Sequence, residues 1–198
     1  MLIFYLLLAH LISDYLLQPG SLVAWKNRSR WGVVVHSSVH FLVTFLIGHL
    51  YTGQYFYPAI IAFAISTIHF CIDCIKASTH RSTKHSQLAY WADQAAHFLT
   101  ITAAFFVTTQ WPTIFIRKAS IVENYFDQLF FNPIFITFSC LAIFSTLTIE
   151  FSFWHDRLRQ SKKTILLNRQ HMLKRLFLVT IVYIGLLFAL VPSVGFNF

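Results

Sequence analysis

Residues 32–51 read GVVVHSSVHFLVTFLIGHLY, and this stretch decides the fold. It approaches the ~20 residues that a helix needs to cross the hydrocarbon core of a bilayer, and no Asp, Glu, Lys or Arg interrupts it. It nevertheless carries His36 and His40, and a helix places residues four apart on one face. The stretch therefore predicts a membrane-spanning helix with one polar face.

The composition extends this interpretation to the whole chain. Of its 198 residues 57% are hydrophobic and only 11% are charged, whereas a soluble domain carries about a quarter charged residues. This composition excludes a soluble enzyme, a disordered tail and a secreted disulfide scaffold. We predict an all-α, polytopic integral membrane protein with about six transmembrane helices, near residues 2–18, 32–51, 57–78, 87–109, 132–151 and 176–195.

The cations orient these spans. Of the 15 Lys and Arg residues, all except Arg117 and Lys118 fall on one side of the predicted membrane, which the excess of Lys and Arg in cytoplasmic loops identifies as the cytoplasmic side. Both termini are then expected outside the cytoplasm. Because this placement accounts for the net charge of +8, we expect membrane lipids as partners and no nucleic acid.

The chain divides into two predicted regions. Residues 1–110 form a four-helix transmembrane core, and residues 111–198 form an interfacial helix followed by two transmembrane helices joined by a basic cytoplasmic segment. The segment 111–133 mixes aromatic and charged residues, as interfacial helices do. The segment 157–175 carries most of the basic charge of this region.

The four predicted helices of the core each carry one pair of ionisable residues at a spacing of four. Ionisable residues within spans are costly and tend to be functional. Because successive helices alternate in direction, the pairs lie at a common depth near the cytoplasmic side. They divide into a deeper tier, His10, His40, His69 and His97, and a tier nearer the cytoplasm, Asp14, His36, Asp73 and Asp93.

This set predicts a metal centre. Ionised carboxylates grouped in a low-dielectric core must protonate or find cations, and imidazole with carboxylate suits zinc, iron or manganese. Eight ligands exceed the four of one tetrahedral ion, so we expect two divalent ions, with zinc favoured. Asp14, Asp73 or Asp93 could act as a base instead of a ligand, and Lys76 could balance the carboxylates or hold an anionic substrate.

The ordered series of pairs, HxxxD, HxxxH, HxxxD and DQxxH, resembles an uncharacterised family of small bacterial and phage-associated membrane proteins, a domain of unknown function. The resemblance covers about residues 5–100 and implies a bacterial inner (cytoplasmic) membrane. The arrangement is more loosely similar to membrane-bound metal-dependent hydrolases. It lacks the adjacent His-His element of membrane di-iron desaturases.

Several functions remain open at this point. The first is a metal-dependent hydrolase that acts on a lipid-like or phosphorylated amphiphile with an anionic head. The alternatives are a transporter of metal ions or protons, a di-metal redox enzyme, and a scaffold in which metals lock the bundle.

Overall fold

The described part of the chain consists of helices and short connections. The computed structural model describes residues 1–79, 87–110, 130–148 and 169–190, and every regular element in these ranges is helical. The α-helices are α1 (Leu2–Leu11), α2 (Gly20–Lys26), α3 (Arg30–Thr52), α4 (Phe56–Thr79), α5 (Gln87–Thr109), α6 (Pro133–Ile143) and α7 (Arg169–Leu190). Two π-helical segments, Ile12–Leu16 and Phe144–Thr148, continue α1 and α6. The predicted all-α class is confirmed.

Local sequence fixes where several helices begin and end. The Ser29 hydroxyl accepts a hydrogen bond from the Trp31 amide at 3.2 Å and caps α3, which ends at Gly53 with φ of 69°. The side-chain oxygen of Asn132 accepts from two backbone amides, at 2.9 and 3.2 Å, and Pro133 opens α6. These are the residue types that suit such positions, because an N-cap needs a short acceptor and a left-handed end favours glycine.

Helices α3, α4 and α5 begin and end within a few residues of the predicted spans. The predicted span 2–18 corresponds to a helix that runs from Leu2 to Leu16 and changes from α to π geometry on the way. Helix α1 ends at Leu11, the π-helical segment follows, and α2 then turns by 94° relative to Leu2–Leu16. Pro19 precedes α2 in an extended conformation (ψ 154°), and its ring lacks the amide hydrogen that would continue the first helix.

Two described helices, Arg30–Thr52 and Phe56–Ser78, are long and apolar enough to cross a membrane, and the bent pair α1–α2 raises the number to three if it forms one span. This is consistent with a membrane protein, although the number is smaller than the six predicted. Helix α5 has the necessary length of 23 residues. Its first half, however, carries Asp93, Gln94 and His97. These polar residues include two of the predicted metal ligands, and they also lower the mean hydropathy of the helix.

Helix α1 lies between two apolar clusters and positions the polar residues at its inner end. On one side Tyr5, Leu8 and Leu11 pack with side chains of α6, and the Tyr5 hydroxyl donates to the backbone carbonyl of Phe130. On the other side Leu6 packs with residues of α4 and α5, namely Ile61, Ile65 and Ile101. Burial of both faces holds α1 in the interior of the bundle, because apolar contact on one side alone would leave it at the surface.

The short helix α2 returns closely onto the start of α3. A Cβ atom at Gly32 would lie 2.5 Å from the backbone nitrogen of Lys26 and 2.6 Å from the carbonyl carbon of Trp25. Only glycine permits this approach of two backbones. Gly32 therefore fixes the position from which Lys26 extends.

Several predictions fall outside the described residues. They include most of the interfacial helix predicted over 111–133, the first part of the basic segment 157–175, and the ends of the last two predicted spans. Residues 169–175 of the basic segment form the first turns of α7.

Candidate metal centre

The structure brings the four sequence pairs together, each on a single face of its helix. The nitrogen-to-oxygen distances within the mixed pairs are 3.5 Å for His10 and Asp14, 3.6 Å for His69 and Asp73, and 3.5 Å for His97 and Asp93. The ring centres of His36 and His40 are 4.8 Å apart. All eight side chains project into the bundle, as spacing predicted for a common level.

The larger of two donor groups consists of Asp14, His36, His40 and His69, whose nearest nitrogen and oxygen atoms all lie within 4.8 Å of one another. Asp14 Oδ1 is 3.0 Å from both His36 Nε2 and His40 Nε2 and 4.0 Å from His69 Nε2. The His36 side chain is 0% exposed and that of Asp14 is 10% exposed. Three helical segments thus aim four donors at one buried point.

The π-helical segment is what presents Asp14. The amide of Leu17 donates to the carbonyl of Ile12 at 2.9 Å, which is the i to i+5 pattern of a π-helix, and the Ser13 hydroxyl donates to the carbonyl of Ala9 at 2.9 Å. Single π-turns inside α-helices often mark functional sites, because the added residue changes the direction in which side chains project. Here the widened turn contains Asp14 itself.

A second group shares His69 with the first. The nearest donor atoms of His69, Asp73 and His97 also lie within 4.8 Å of one another, and all three side chains are buried. His10 and Asp93 belong to neither group, but each lies 3.5 Å from one member, Asp14 and His97 respectively. The eight predicted residues therefore form two adjacent donor groups with one residue beside each.

The predicted deeper tier is visible as a set of packed imidazoles. The rings of His69 and His40 stack with centres 3.7 Å apart, and those of His69 and His97 are 4.2 Å apart. The His10 ring lies 5.1 to 5.8 Å from the other three. The two tiers interlock, since Asp14 reaches His40 as closely as it reaches His36.

Several of the buried donors and acceptors have no hydrogen-bond partner within the described part of the chain. Nε2 of His69 and Oδ1 of Asp93 are among them. His69 Nε2 lies 3.6 Å from Asp73 and 4.0 Å from Asp14, so it is close to two carboxylates yet beyond a good hydrogen bond. Buried polar atoms are almost always satisfied in native proteins, and a cation between imidazole and carboxylate would satisfy these.

The structure adds Lys26 to the residues that border the cluster. Its Nζ lies 3.0 Å from Asp73 Oδ2, and its side chain is only 12% exposed. With the Gln18 amide oriented so that its nitrogen donates to the Asp14 carbonyl at 3.0 Å, the Gln18 oxygen accepts from Lys26 at 2.7 Å. No periodic pattern could have revealed these contacts, because they depend on the turn into α2.

Lys76 lies beside the cluster, and its Nζ donates to Asp93 Oδ2. The same carboxylate is 3.4 Å from the Gln94 amide nitrogen. The Tyr90 hydroxyl donates to the Thr148 carbonyl at 3.1 Å and is 2.8 Å from the hydroxyl of Tyr15, which the sequence analysis missed. These contacts link the Asp93 side of the cluster to the second π-helical segment.

Together these features define a helical protein with apolar membrane-length helices and a buried His/Asp cluster that could hold metal. The chain belongs to the family described as "Protein of unknown function (DUF3307)", whose model matches residues 2–126. The prediction of an uncharacterised domain family is thereby confirmed, and the match includes all four pairs. No curated protein and no solved structure matches the chain.

Proposed function

We propose that the protein is an integral membrane metalloenzyme that holds two divalent ions, with zinc favoured, and hydrolyses a lipid-like or phosphorylated amphiphile. The observation that carries the proposal is the convergence of Asp14, His36, His40 and His69 within 4.8 Å in the interior of the bundle. Isolated histidines in a helix core need no such common focus. Four donors around one point are the arrangement of a metal site.

The donor sets suggest how two ions would be held. Asp14, His36 and His40 would bind the first ion, and Asp73 and His97 would bind the second. His69 belongs to both donor groups and would bind one of the two ions. Two ions bring four positive charges to a group that contains three carboxylates, so they offset the electrostatic cost of that group in a low-dielectric interior. Mixed imidazole and carboxylate ligands suit zinc, iron and manganese.

Such a centre is suited to hydrolysis. Bound metal lowers the pKa of a water towards 7 and polarises a phosphoryl or carbonyl oxygen, and paired ions stabilise both the attacking and the leaving oxygens. Asp93, which lies outside both donor groups, is the carboxylate best placed to accept a proton instead of binding metal. Lys76 donates a hydrogen bond to Oδ2 of Asp93 and would keep this carboxylate oriented.

The setting favours an amphiphilic substrate. We propose six spans in a bacterial inner membrane with both termini outside the cytoplasm, in which α1, α5, α6 and α7 join the two helices of sufficient hydropathy. Lys26 and Lys76 border the cluster on its cytoplasmic side and carry positive charge towards an anionic head. An active centre among apolar helices is reached most directly by a molecule that already resides in the bilayer.

The apolar residues on the predicted outer side of the cluster argue against transport of metal ions or protons. Towards the outer side, the helical stretches 2–9, 41–48, 58–65 and 98–105 contain no ionisable residue except Tyr5. A conducted ion or proton needs polar groups along its path. Uptake of metal into proteoliposomes that His69→Ala abolishes would reverse this preference for hydrolysis.

The test combines metal content with turnover in one preparation. The full chain, purified in nanodiscs without added metal, should contain about two ions per chain by elemental analysis, since eight ligands exceed one tetrahedral set. It should hydrolyse a phosphatidate, an isoprenyl phosphate or a lipid carboxyl ester in a chelator-sensitive manner. Iron with an oxygen-sensitive spectrum would point to redox chemistry instead.

Substitutions in the cluster and outside it provide the matched comparison. His40→Ala or Asp73→Ala should lower turnover by more than about 100-fold, because even residues that only orient metal ligands cost 10–100-fold. The control is His49→Ala on the same helix as His40. The His49 ring stacks on Tyr55 and its Nδ1 donates to the Gln54 carbonyl at 2.9 Å, far along the helix from the cluster. Equal turnover by all three variants would contradict the proposal.

A further inference from the structure

A cavity of about 460 Å³ lies between the α2–α3 turn and the end of α4, next to the candidate metal centre. Ligand pockets commonly range from about 300 to 1,000 Å³, so this cavity can accept a headgroup. One wall is formed by the consecutive residues 26–30. The opposite wall comes from the cytoplasmic half of α4, with Phe70, Cys74, Ile75, Ala77 and Ser78.

The charge of the lining has a single sign. Lys26, Arg28 and Arg30 contribute three cations, and no Asp or Glu is among the lining residues that the structure describes. Asn27 and Ser29 add polar groups, whereas Val33 and Phe70 supply apolar wall. A concave surface with three cations on one side and mostly apolar residues on the other matches an amphiphile that carries a negative head.

The cavity is connected to the metal centre through Lys26. This side chain lines the cavity while its Nζ stands 3.0 Å from Asp73 Oδ2. An ammonium group has three donors, so Lys26 can retain its bond to Asp73 and still donate to an anion in the cavity. Gly32 holds the Lys26 backbone against α3 and so maintains this geometry.

We propose that this cavity binds the phosphate group of an amphiphile and delivers it to the cluster, an inference that rests on the proposed hydrolase function and narrows its substrate to a phosphate ester. Phosphate offers at least two charged oxygens, and arginine guanidinium groups match that geometry through paired hydrogen bonds. A carbonyl ester without charge would gain nothing from three cations.

The surroundings of the cavity favour a position at the membrane–water interface. Trp25 and Trp31 flank its basic wall and are 45% and 72% exposed, respectively. Tryptophan is enriched at that level of a membrane, where headgroups lie. Ile75 lines the cavity and is 64% exposed, so the cavity is bordered by a surface suited to hydrocarbon.

The test measures binding without turnover. The probe is a short-chain phosphonate analogue of phosphatidate, whose P–C bond resists hydrolysis, titrated by calorimetry into the full chain in nanodiscs. The double variant Arg28→Gln/Arg30→Gln should weaken binding about tenfold or more, because each charge-assisted hydrogen bond is lost without a substitute. The matched control is Lys174→Gln, an exposed cation on α7 outside the cavity, which should leave binding unchanged.

Two further titrations identify the source of the phosphate. Inorganic phosphate that binds as tightly as the phosphonate, with the same dependence on the arginines, would assign the cavity to free phosphate and overturn delivery of an amphiphile. A short-chain diacylglycerol without phosphate should bind weakly and without regard to either arginine. Unchanged phosphonate binding by the double variant, or equal weakening by Lys174→Gln, would refute the proposal.

The outcome is separable from that of the hydrolase proposal. His40→Ala alters the cluster but not the cavity, so this variant should lose turnover and keep phosphonate binding. Arginine-dependent binding without any turnover in the wild type would support the cavity and contradict the hydrolase. Turnover with a KM that is unchanged by substitution of both arginines would support the hydrolase and contradict the role of the cavity.

Discussion

The substitution Gly32→Ala tests the packing on which both the cluster and the cavity depend. The added Cβ would lie 2.5 Å from the Lys26 nitrogen and 2.8 Å from its Cα, whereas ordinary contact begins at 3.4 Å. Since both contacts are with backbone, α2 as a whole must retreat by about 0.9 Å. Overpacking of this kind costs ~1–3 kcal/mol, which lowers the Tm of a chain of this size by roughly 3–10 °C.

The same retreat should separate Lys26 from Asp73, whose 3.0 Å contact would lengthen beyond hydrogen-bond range. The assay is tryptophan fluorescence on heating in nanodiscs, together with metal content after dialysis. Gly20→Ala serves as the control, because a Cβ at that position meets nothing within 4 Å. If both variants melt together with the wild type and retain the same metal, the account of α2 packing is wrong.

Three other substitutions have distinct expected outcomes. His69→Ala, at the residue shared by both donor groups, should reduce metal content more than His10→Ala does, as elemental analysis would show; an equal reduction would contradict the shared position. Lys76→Met removes the partner of Asp93 and should destabilise the fold by ~1–3 kcal/mol in thermal unfolding, since a buried acceptor loses its charged donor. Tyr90→Phe removes the donor to the Thr148 carbonyl and should cost ~1 kcal/mol in the same assay, with metal content unchanged; loss of metal would show that Tyr90 supports the cluster more directly than its contacts indicate.

Much of the core was predictable from the sequence because two strong signals coincide there. Long apolar runs fixed α3, α4 and α5, and pairs at a spacing of four placed His69 and Asp73 on one face. The alternating direction of the helices predicted that the pairs lie at one level of the bundle. With the added assumption that neighbouring helices pack together, the convergence of all eight side chains could be predicted.

The features that the sequence analysis missed depend on backbone geometry that no periodicity encodes. The π-helical segment around Asp14 differs from an α-helix by one residue in one turn, and α2 is only seven residues long. The contact between Lys26 and Asp73 joins residues 47 apart and arises from the 94° turn into α2. The close approach at Gly32 likewise becomes visible only when both helices are in place.

Anomalous diffraction from crystals of the full chain, collected on both sides of the zinc absorption edge, tests the central claim most directly. The account predicts two peaks: one among Asp14, His36, His40 and His69, and a second beside Asp73 and His97. Repeating the measurement at the iron and manganese edges would identify either alternative metal at the same positions. Crystals that diffract well, bind no metal at these positions, and show each imidazole hydrogen-bonded to a neighbouring side chain or water would contradict it.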